Sequence, residues 1–262
     1  YPDYARKLFL IENCIYGIDI QQIAIQISKL RCFISLIVDQ KVNDNKPNRN
    51  ILSMPNLETR FVAANTLIKL VINNQQAFKD PDVEKLEEEL MNIRHNIFFA
   101  QKYSNKKKLK EAEKKKREEL QKILIDKSLD GPTAKKIAEW NPFDPIKSAE
   151  FFDTNIMFGL NRGFDIVIGN PPYIQLQKNK GELSTLYENQ KYEVYIPMGD
   201  IYTLFYERGI ELLKNDGLLC YITSNKWMRA GYGEKLRGFF AKHNPLLIID
   251  LGPDIFENAT VD

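Results

Sequence analysis

Short apolar segments alternate with helical patterns along most of the chain, and this alternation constrains the fold more than any other feature of the sequence. Five segments have the length and composition of strands, at residues 15–18, 60–64, 164–168, 218–223 and 246–250. Helical patterns separate them, and strands joined by helices pair in parallel through right-handed crossovers. The sequence therefore predicts a doubly wound, mostly parallel α/β sheet, in which ligands bind beyond the carboxyl ends of the strands.

The helices of this pattern are predicted from apolar residues three and four positions apart. Residues 20–37 carry such an apolar face, which consists of Ile23, Ile27, Leu30 and Ile34. Residues 201–214 form a second predicted helix. We expect it to end at residues 215–217, because glycine readily adopts the left-handed conformation that terminates a helix. A third helix is predicted at residues 233–243.

Residues 80–126 break the alternation, because they carry helical patterns only. Their apolar residues form a dense stripe at Val83, Leu86, Leu90, Ile93 and Ile97, and then a sparser one at Leu109, Leu120, Ile123 and Leu124. Two antiparallel helices with a break near Ser104 and Asn105 account for this pattern. We therefore predict a helical hairpin, inserted into the sheet domain at residues 80–127.

Composition excludes some classes of protein. The chain has no run of about 18 uncharged apolar residues, so no membrane-spanning segment is predicted. Cys14, Cys32 and Cys220 lie far apart among apolar residues, which predicts buried thiols in a reducing, cytoplasmic compartment. The net charge of +2 indicates no class of partner. A lysine-rich run at residues 102–122 fits either a solvated helical face or a surface that contacts phosphates.

Two polar residues follow predicted strands, where a sheet of this type binds ligands. Asp19 ends the first strand, and its carboxylate can accept from both hydroxyls of a ribose. An aspartate at this position can equally cap the next helix. Asn65 follows the second strand, and its amide can pair with an adenine ring or stabilise a turn. Neither residue alone decides between its two roles.

The most specific signal is the segment "IVIGNPPYIQLQ" at residues 166–177. Its apolar run predicts a buried strand that ends in Asn170, Pro171, Pro172 and Tyr173. The two prolines fix their own φ angles, push the preceding residues into extended conformations and remove two N–H donors. The Asn170 side-chain oxygen and the Pro171 carbonyl then form a rigid acceptor edge beside the flat face of Tyr173. Such a site suits a planar ring that bears an amino group.

With this motif, the chain resembles the S-adenosylmethionine-dependent amino-methyltransferases that act on adenine N6 in DNA, especially the methyltransferase region of type IIG restriction-modification enzymes. Segments similar to the family's motifs occur in order: "IYGIDIQQIAIQISKLRCFISLI", "PNLETRFVAANTLI", "WNPFDPIKSAEFFDTNIMFGLNRGFDIVIGNPPYIQLQ", "DIYTLFYERGIELLKNDGLLCYITSNKWMRAGYGEKLRGFF" and "IIDLGPDIFENATVD". The resemblance implies a Rossmann-like methyltransferase fold, S-adenosylmethionine as cofactor, and double-stranded DNA with a flipped adenine as substrate. It also implies a cofactor-binding part at residues 1–79 and a catalytic part at residues 128–262.

On the cofactor side, the resemblance implies roles for five residues. Asp19 and Ile20 would hold the ribose of S-adenosylmethionine, and Asn65 and Thr66 would hold its adenine. Asp200 matches the start of a helix that lines the cofactor. The resemblance implies no metal site.

On the substrate side, the resemblance assigns the whole turn after the third strand. Asn170 and Pro171 would accept from the N6 hydrogens and so keep the nitrogen lone pair available for attack. Pro172 would hold the turn rigid, and Tyr173 would stack on the target base. Phe256 matches a second aromatic contact to that base, although a phenylalanine near a strand end is as often a core residue.

The chain departs from the family pattern at its ends. The family's glycine-rich cofactor loop should precede Asp19 by several tens of residues, and no such loop precedes it in these residues. A target-recognition domain is missing as well. We therefore expect the 262 residues alone to bind S-adenosylmethionine weakly or not at all, to leave DNA unmethylated, and to self-associate through an unpaired sheet edge.

Other reactions and one other class of function stay open at this level. The same turn can present cytosine N4, an RNA guanine or a protein glutamine for methylation. The long helical insertion and the segment ending "FFDTNIMFGL" favour the DNA enzymes. A catalytically silent module that only binds DNA is the alternative outside enzymes.

Overall fold

The computed structural model describes residues 2–70, 80–126 and 131–252. Its strands are β1 (Gly17–Asp19), β2 (Phe61–Ala63), β3 (Phe164–Gly169) and β4 (Leu213–Tyr221). Its α-helices are α1 (Pro2–Asn13), α2 (Gln22–Ile37), α3 (Pro81–Phe99), α4 (Tyr103–Asp126), α5 (Gly131–Glu139), α6 (Thr154–Phe158), α7 (Glu182–Glu188), α8 (Ile201–Glu211) and α9 (Glu234–His243). Short 3-10 turns occur at Pro47–Asn50, Leu57–Thr59, Asn179–Gly181, Lys226–Met228 and Gly231–Gly233.

The chain divides into two compact units, which are unit 1 (Tyr1–Asn161) and unit 2 (Arg162–Asp262). Unit 1 contains the parallel pair β1–β2, and unit 2 contains the parallel pair β3–β4. The protein is therefore mixed α/β with parallel strand pairing, as predicted. Two parts of the sequence-based picture stay predictions: the joining of all strands into one doubly wound sheet, and the functional boundaries after residues 79 and 127.

In unit 1, α2 packs by a face other than the apolar one predicted for it. Its buried residues are Ile25, Lys29 and Leu36. Ile25 and Leu36 enter a core that residues of α1, β2 and α3 complete. The predicted face is more than half exposed at all four of its residues, Ile23, Ile27, Leu30 and Ile34. Because α2 is apolar around most of its circumference, periodicity alone could not identify the buried side.

The predicted helical hairpin is present as α3 and α4. Lys116 pairs with Glu89 and Arg94 pairs with Glu113, so the two helices run antiparallel. Their break falls at residues 100–102, slightly before the predicted position. Most of the two predicted apolar stripes is buried, at Val83, Leu86, Leu90, Ile97, Leu120 and Leu124.

Charged residues fill the gap in the second stripe. Glu113 is fully buried and accepts from Arg94 Nη2 and Arg117 Nε, each at 2.9 Å. Arg94 also donates to the Ile156 carbonyl at 2.8 Å, and Arg117 donates to the Ala138 carbonyl at 2.9 Å. This ion network therefore ties the hairpin to α5 and α6 at positions where a helix of this spacing would normally place apolar residues.

In unit 2, β3 and β4 present one face to α8 and expose the other. A Cβ built on Gly209 of α8 would lie 2.7 Å from the Leu219 side chain, so the helix and strand approach closely. Ile166 and Ile168, on the opposite face, are 56% and 77% exposed. The prediction of a buried strand is therefore wrong for this face of β3, because side chains alternate between the two faces of a strand and α8 covers the other one.

The end of α8 also differs from the prediction. The helix stops at Glu211, and β4 begins two residues later. The pairing moves from Phe164 opposite Leu213 to Ile166 opposite Leu218, so residues 214–217 bulge out of the ladder. Asp216, with φ of 63°, takes the left-handed conformation that was expected of the glycine after it. The predicted helix terminator is thus a strand bulge.

The fifth predicted strand and the cysteines differ from the sequence predictions, whereas the absence of a membrane-spanning helix agrees with them in the described residues. Residues 246–250, predicted as a fifth strand, pair with no strand among the described residues, and a strand forms only where a neighbour completes its hydrogen bonds. The prediction of buried thiols is wrong for Cys14 and Cys220, which are exposed, while Cys32 is partly buried. Within the described ranges, no helix has the length and apolar character needed to cross a bilayer.

Candidate active site

β1 and β2 bring two of the predicted site residues to one edge of unit 1. The strands pair with Asp19 opposite Ala63, and the Ala64 N–H donates to the Asp19 carbonyl at 2.9 Å. Asn65 follows directly. The two side chains therefore share the carboxyl edge of this sheet, as the strand pattern predicted.

The Asp19 carboxylate is exposed and has one oxygen in use. Its Oδ1 accepts from the Gln21 N–H at 2.7 Å, in the turn that leads into α2. Its Oδ2 accepts no hydrogen bond from the part of the chain that the structure describes. Asp19 can thus hold the turn with one oxygen and accept from a ligand hydroxyl with the other. The alternative that Asp19 caps the next helix is wrong, because the N-cap of α2 is Gln21, which has no side-chain cap bond.

Residues 144–149 form the wall of this edge, which no sequence pattern assigned to them. Ser148 Oγ donates to the Ile20 carbonyl at 2.8 Å. The Ala149 N–H donates to the Ala63 carbonyl at 2.8 Å, and the Ala149 carbonyl accepts from the Asn65 N–H at 2.9 Å. The sequence signal that could have predicted this position is the Asp-Pro turn of "FDPIKSA", which directs the chain back along the strand end.

Asn65 and Thr66 are both half-buried at the end of β2. The Asn65 Oδ1 accepts from the Leu67 N–H at 3.1 Å, which is the turn-stabilising role weighed from the sequence. This bond orients the Asn65 amide within the edge. A contact from Asn65 or Thr66 to a cofactor stays a prediction.

In unit 2, the turn at residues 170–173 begins where β3 ends. Gly169 leaves room for a neighbouring ring here, because a Cβ on it would lie 2.9 Å from the Tyr221 ring. Its carbonyl accepts from the Ile222 N–H at 3.2 Å. Beyond the turn, Ile174 accepts from the Ile201 N–H at 2.8 Å, and Gln175 bridges Asp200 in antiparallel pairing. The turn is therefore held at both ends.

Within the turn, burial alternates and the polar groups face one another. Asn170 and Pro172 are exposed, Pro171 is buried, and Tyr173 is half-buried. The Tyr173 hydroxyl lies 3.3 Å from both Asn170 Oδ1 and the Ile222 carbonyl. Its single proton serves two long hydrogen bonds, so the Asn170 oxygen is only weakly engaged and can accept from another donor.

A chain of tyrosines connects Asp200 to this turn. The Tyr173 ring meets the Tyr202 ring edge to face, with centroids 6.0 Å apart. The Tyr202 and Tyr232 hydroxyls are 3.0 Å apart, and Tyr232 donates to Asp200 Oδ2 at 2.7 Å. Asp200, which is 8% exposed, is thus committed to a tyrosine hydroxyl at the start of α8. Sequence reasoning missed Tyr232 because it lies 32 residues from its partner.

Burial keeps these tyrosine hydroxyls protonated by raising their pKa values. It raises the pKa of Tyr202 to about 12, with the nearby Asp200 carboxylate acting in the same direction and the Tyr232 hydrogen bond opposing it. Burial also raises the pKa of Tyr232 and of Tyr173. All three hydroxyls therefore stay protonated at neutral pH, so the tyrosines add polar groups without charge beside the Asp200 carboxylate.

The structure thus groups the predicted residues by unit. Asp19, Ile20, Asn65 and Thr66 share the edge in unit 1, and Asn170, Pro171, Pro172, Tyr173 and Asp200 share the turn in unit 2. Phe256 lies outside the described residues.

Comparison with known proteins identifies the family. The profile of the Eco57I restriction-modification methylase family matches residues 13–256. The type II restriction enzyme and methyltransferase RM.Eco57I of Escherichia coli is 31% identical over 166 residues, which cover 52% of this chain and 16% of that protein. The type II methyltransferase M.BstVI of Geobacillus stearothermophilus is 35% identical over 89 residues, which cover 34% of this chain and 16% of that protein.

A third relative, the type II methyltransferase M.PaeR7I of Pseudomonas aeruginosa, is 35% identical over 79 residues, or 30% of this chain and 14% of that protein. The chain spans only about a sixth of the length of each of these relatives. The family match, in contrast, extends over nearly all of its residues. The chain therefore belongs to the Eco57I restriction-modification methylase family.

Proposed function

We propose that the full-length protein containing this chain methylates adenine N6 in double-stranded DNA, with S-adenosylmethionine as methyl donor, as part of a restriction-modification system. The observation that carries this proposal is the Asn170–Tyr173 turn. It sits at the carboxyl end of a parallel strand, is pinned at both ends, and presents a weakly engaged amide oxygen beside an aromatic ring. The names of the related proteins support DNA as the substrate.

The cofactor assignment is supported by the unit 1 edge. The exposed Asp19 carboxylate keeps Oδ2 available among the described residues, and a ribose offers two adjacent hydroxyl donors to such a group. The bond from Ser148 to the Ile20 carbonyl holds the chain next to it. S-adenosylmethionine, when bound, supplies a methyl group made electrophilic by its sulfonium.

The turn in unit 2 acts on the amino group that receives the methyl. The Asn170 Oδ1 and the Pro171 carbonyl are proposed to accept from the two amino hydrogens, which keeps the nitrogen lone pair out of conjugation with the ring. The long bond from Tyr173 to Asn170 can be exchanged for this shorter one at little cost. Positioning of the lone pair supplies most of the rate.

A target base must leave the duplex to reach such a turn, at a cost of a few kcal/mol. Stacking on the face of Tyr173 offsets part of this cost, by about 1 to 3 kcal/mol. The edge-to-face contact with Tyr202 fixes the Tyr173 ring before the base arrives. The Tyr173 ring therefore has its orientation before the base binds, and the base does not need to induce it.

The test is methyl transfer by the full-length protein carrying Asn170→Ala. Incubation with duplex DNA and labelled S-adenosylmethionine, followed by nucleoside analysis, should show N6-methyladenine for the wild type. The variant should lose transfer by orders of magnitude, while its calorimetric affinity for the cofactor changes little. Asn189→Ala, at an exposed asparagine of the same unit, is the matched control and should behave as the wild type.

Near-normal turnover by Asn170→Ala would contradict the proposed role of the turn. N4-methylcytosine as the product would keep the mechanism and change the base. Methylation of RNA or protein substrates, with duplex DNA untouched, would refute the DNA assignment.

A further inference from the structure

A basic cleft in unit 1 is separate from the strand-end site. Its volume is about 250 Å³. The residues that line it include Lys29 of α2, Lys106 of α4, and Glu58 of the turn at Leu57–Thr59. Phe143 belongs to its apolar walls. Lys110, one turn along α4 from Lys106, reaches the same carboxylate and lies over the Phe143 ring at 4.3 Å from its centroid. Two lysines therefore line this cleft, and the Lys110 ammonium lies beside its Phe143 wall.

Glu58 cannot neutralise these three charges. Its Oε1 pairs with Lys106 Nζ at 3.3 Å and with Lys110 Nζ at 3.5 Å. Asp144 also lines the cleft as a second carboxylate, and its Oδ1 accepts from the N–H groups of Ile146 and Lys147 at 2.9 and 3.1 Å. The three lysines therefore still exceed the two carboxylates by one charge.

Lys29 is the residue without a partner. It is 8% exposed, yet its ammonium makes no hydrogen bond or ion pair with any residue that the structure describes. Burial lowers the pKa of Lys29, and the like charges of Lys110 and Lys106 lower it further, while Glu58 acts in the opposite direction. Lys29 is therefore a largely buried side chain whose ammonium opens onto the cleft without an acceptor among the described residues.

The cleft is large enough to hold the missing acceptor. A water molecule occupies roughly 30 Å³, so the volume accommodates an anion together with some of its hydration. Each lysine ammonium offers up to three donors, and a phosphate group offers several acceptor oxygens to donors from different directions. Apolar walls strengthen the attraction because they exclude water from around the charges.

We propose that this cleft, lined by Lys29 and Lys106 with Lys110 beside it, binds a phosphate group. The proposed function favours the DNA backbone as its source, and in that respect the inference rests on that function. A free phosphate-bearing ligand shares the same chemistry. Exposed Lys107 and Lys108 continue the basic surface of α4 away from the cleft, which suits a backbone that extends beyond one phosphate.

The test compares thermal unfolding of the full-length protein in sodium phosphate and in sodium chloride at equal ionic strength. Phosphate should raise the melting temperature of the wild type, because a ligand that binds only the folded state stabilises it. Lys29→Met should melt at or above the wild type in chloride and show no phosphate-dependent rise. Lys41→Met, at an exposed lysine of the same unit, is the matched control and should keep the full rise.

A second variant keeps the test decisive if Lys29→Met folds poorly. Glu58→Gln removes the carboxylate that competes with the anion, so it should reach half of the phosphate effect at a lower phosphate concentration. An equal phosphate-dependent rise in Lys29→Met and the wild type, or no rise in the wild type beyond chloride, would overturn the assignment.

Duplex DNA identifies the source of the phosphate. If the backbone fills the cleft, Lys29→Met should reduce the slope of log affinity against log salt by about one, and DNA should suppress the phosphate effect. An unchanged slope together with phosphate protection supports a free ligand. The melting experiment needs neither cofactor nor methyl transfer, so it can succeed where the methylation assay fails, and the two proposals can be refuted separately.

Discussion

Substitutions of Tyr173 test how the proposed turn holds its base, because they separate the aromatic face from the hydroxyl. The hydroxyl makes two hydrogen bonds of 3.3 Å, to Asn170 Oδ1 and the Ile222 carbonyl, with a single proton. The ring meets Tyr202 edge to face at 6.0 Å. Tyr173→Phe removes only the hydroxyl bonds, whereas Tyr173→Ala removes the stacking surface as well.

The expected magnitudes differ enough to be measured. Long hydrogen bonds that share one proton contribute at most about 1 kcal/mol, which corresponds to about a fivefold change in rate. Loss of stacking removes about 1 to 3 kcal/mol, or about fivefold to 150-fold. Tyr173→Phe should therefore lose at most about fivefold in activity, or gain some if freeing Asn170 helps it accept. Tyr173→Ala should lose most of it.

The assay is kcat/KM for transfer of labelled methyl groups to duplex DNA by the full-length protein. Tyr103→Ala, at a tyrosine of α4 that is 82% exposed, controls for the loss of an aromatic ring elsewhere. Fluorescence of 2-aminopurine at the target position reports base flipping independently of chemistry. Equal losses in Tyr173→Phe and Tyr173→Ala would show that the hydroxyl matters and that stacking is the wrong explanation.

Two further predictions concern stability. Burial raises the pKa of Glu87 from its ordinary 4.5 to about 7, so the folded state binds a proton more tightly and loses stability as pH rises between these values. In urea unfolding, Glu87→Gln should therefore have the same free energy of unfolding as the wild type near pH 4, and a higher one by about 1 to 3 kcal/mol at pH 8. A difference that does not change with pH would contradict this prediction. Glu113→Gln removes the negative charge that pairs with the buried Arg94 and Arg117, so it should lower the free energy of unfolding by about 3 to 5 kcal/mol. The exposed Glu118→Gln should lower it by less than about 0.5 kcal/mol. Similar losses in these two variants would show that the ion network contributes little.

Local sequence patterns determined the elements that periodicity and turn chemistry encode. The alternation of apolar and helical segments predicted parallel pairing, and the parallel pairs β1–β2 and β3–β4 are present. The helical hairpin followed from apolar residues at helical spacing. The turn after β3 could be predicted because two prolines restrict the backbone whatever surrounds it.

Burial and partners, in contrast, depend on contacts between residues that are distant in the chain. Periodicity could not show that α2 packs through Ile25 and Leu36, since the helix is apolar on several sides. It could not show that residues 214–217 bulge, because a strand's register depends on the strand beside it. The fifth strand failed for the same reason, as its predicted segment has no paired neighbour among the described residues.

The candidate sites show the same division. Sequence alone singled out Asp19 and the Asn170–Tyr173 turn as candidates, since each follows a predicted strand and carries groups that can bind a ligand. Only the tertiary structure placed Ala149 against Asn65 and Tyr232 against Asp200. It alone showed that Lys29 is a largely buried lysine that lines a basic cleft, because desolvation is a property of the packed chain and not of the residue.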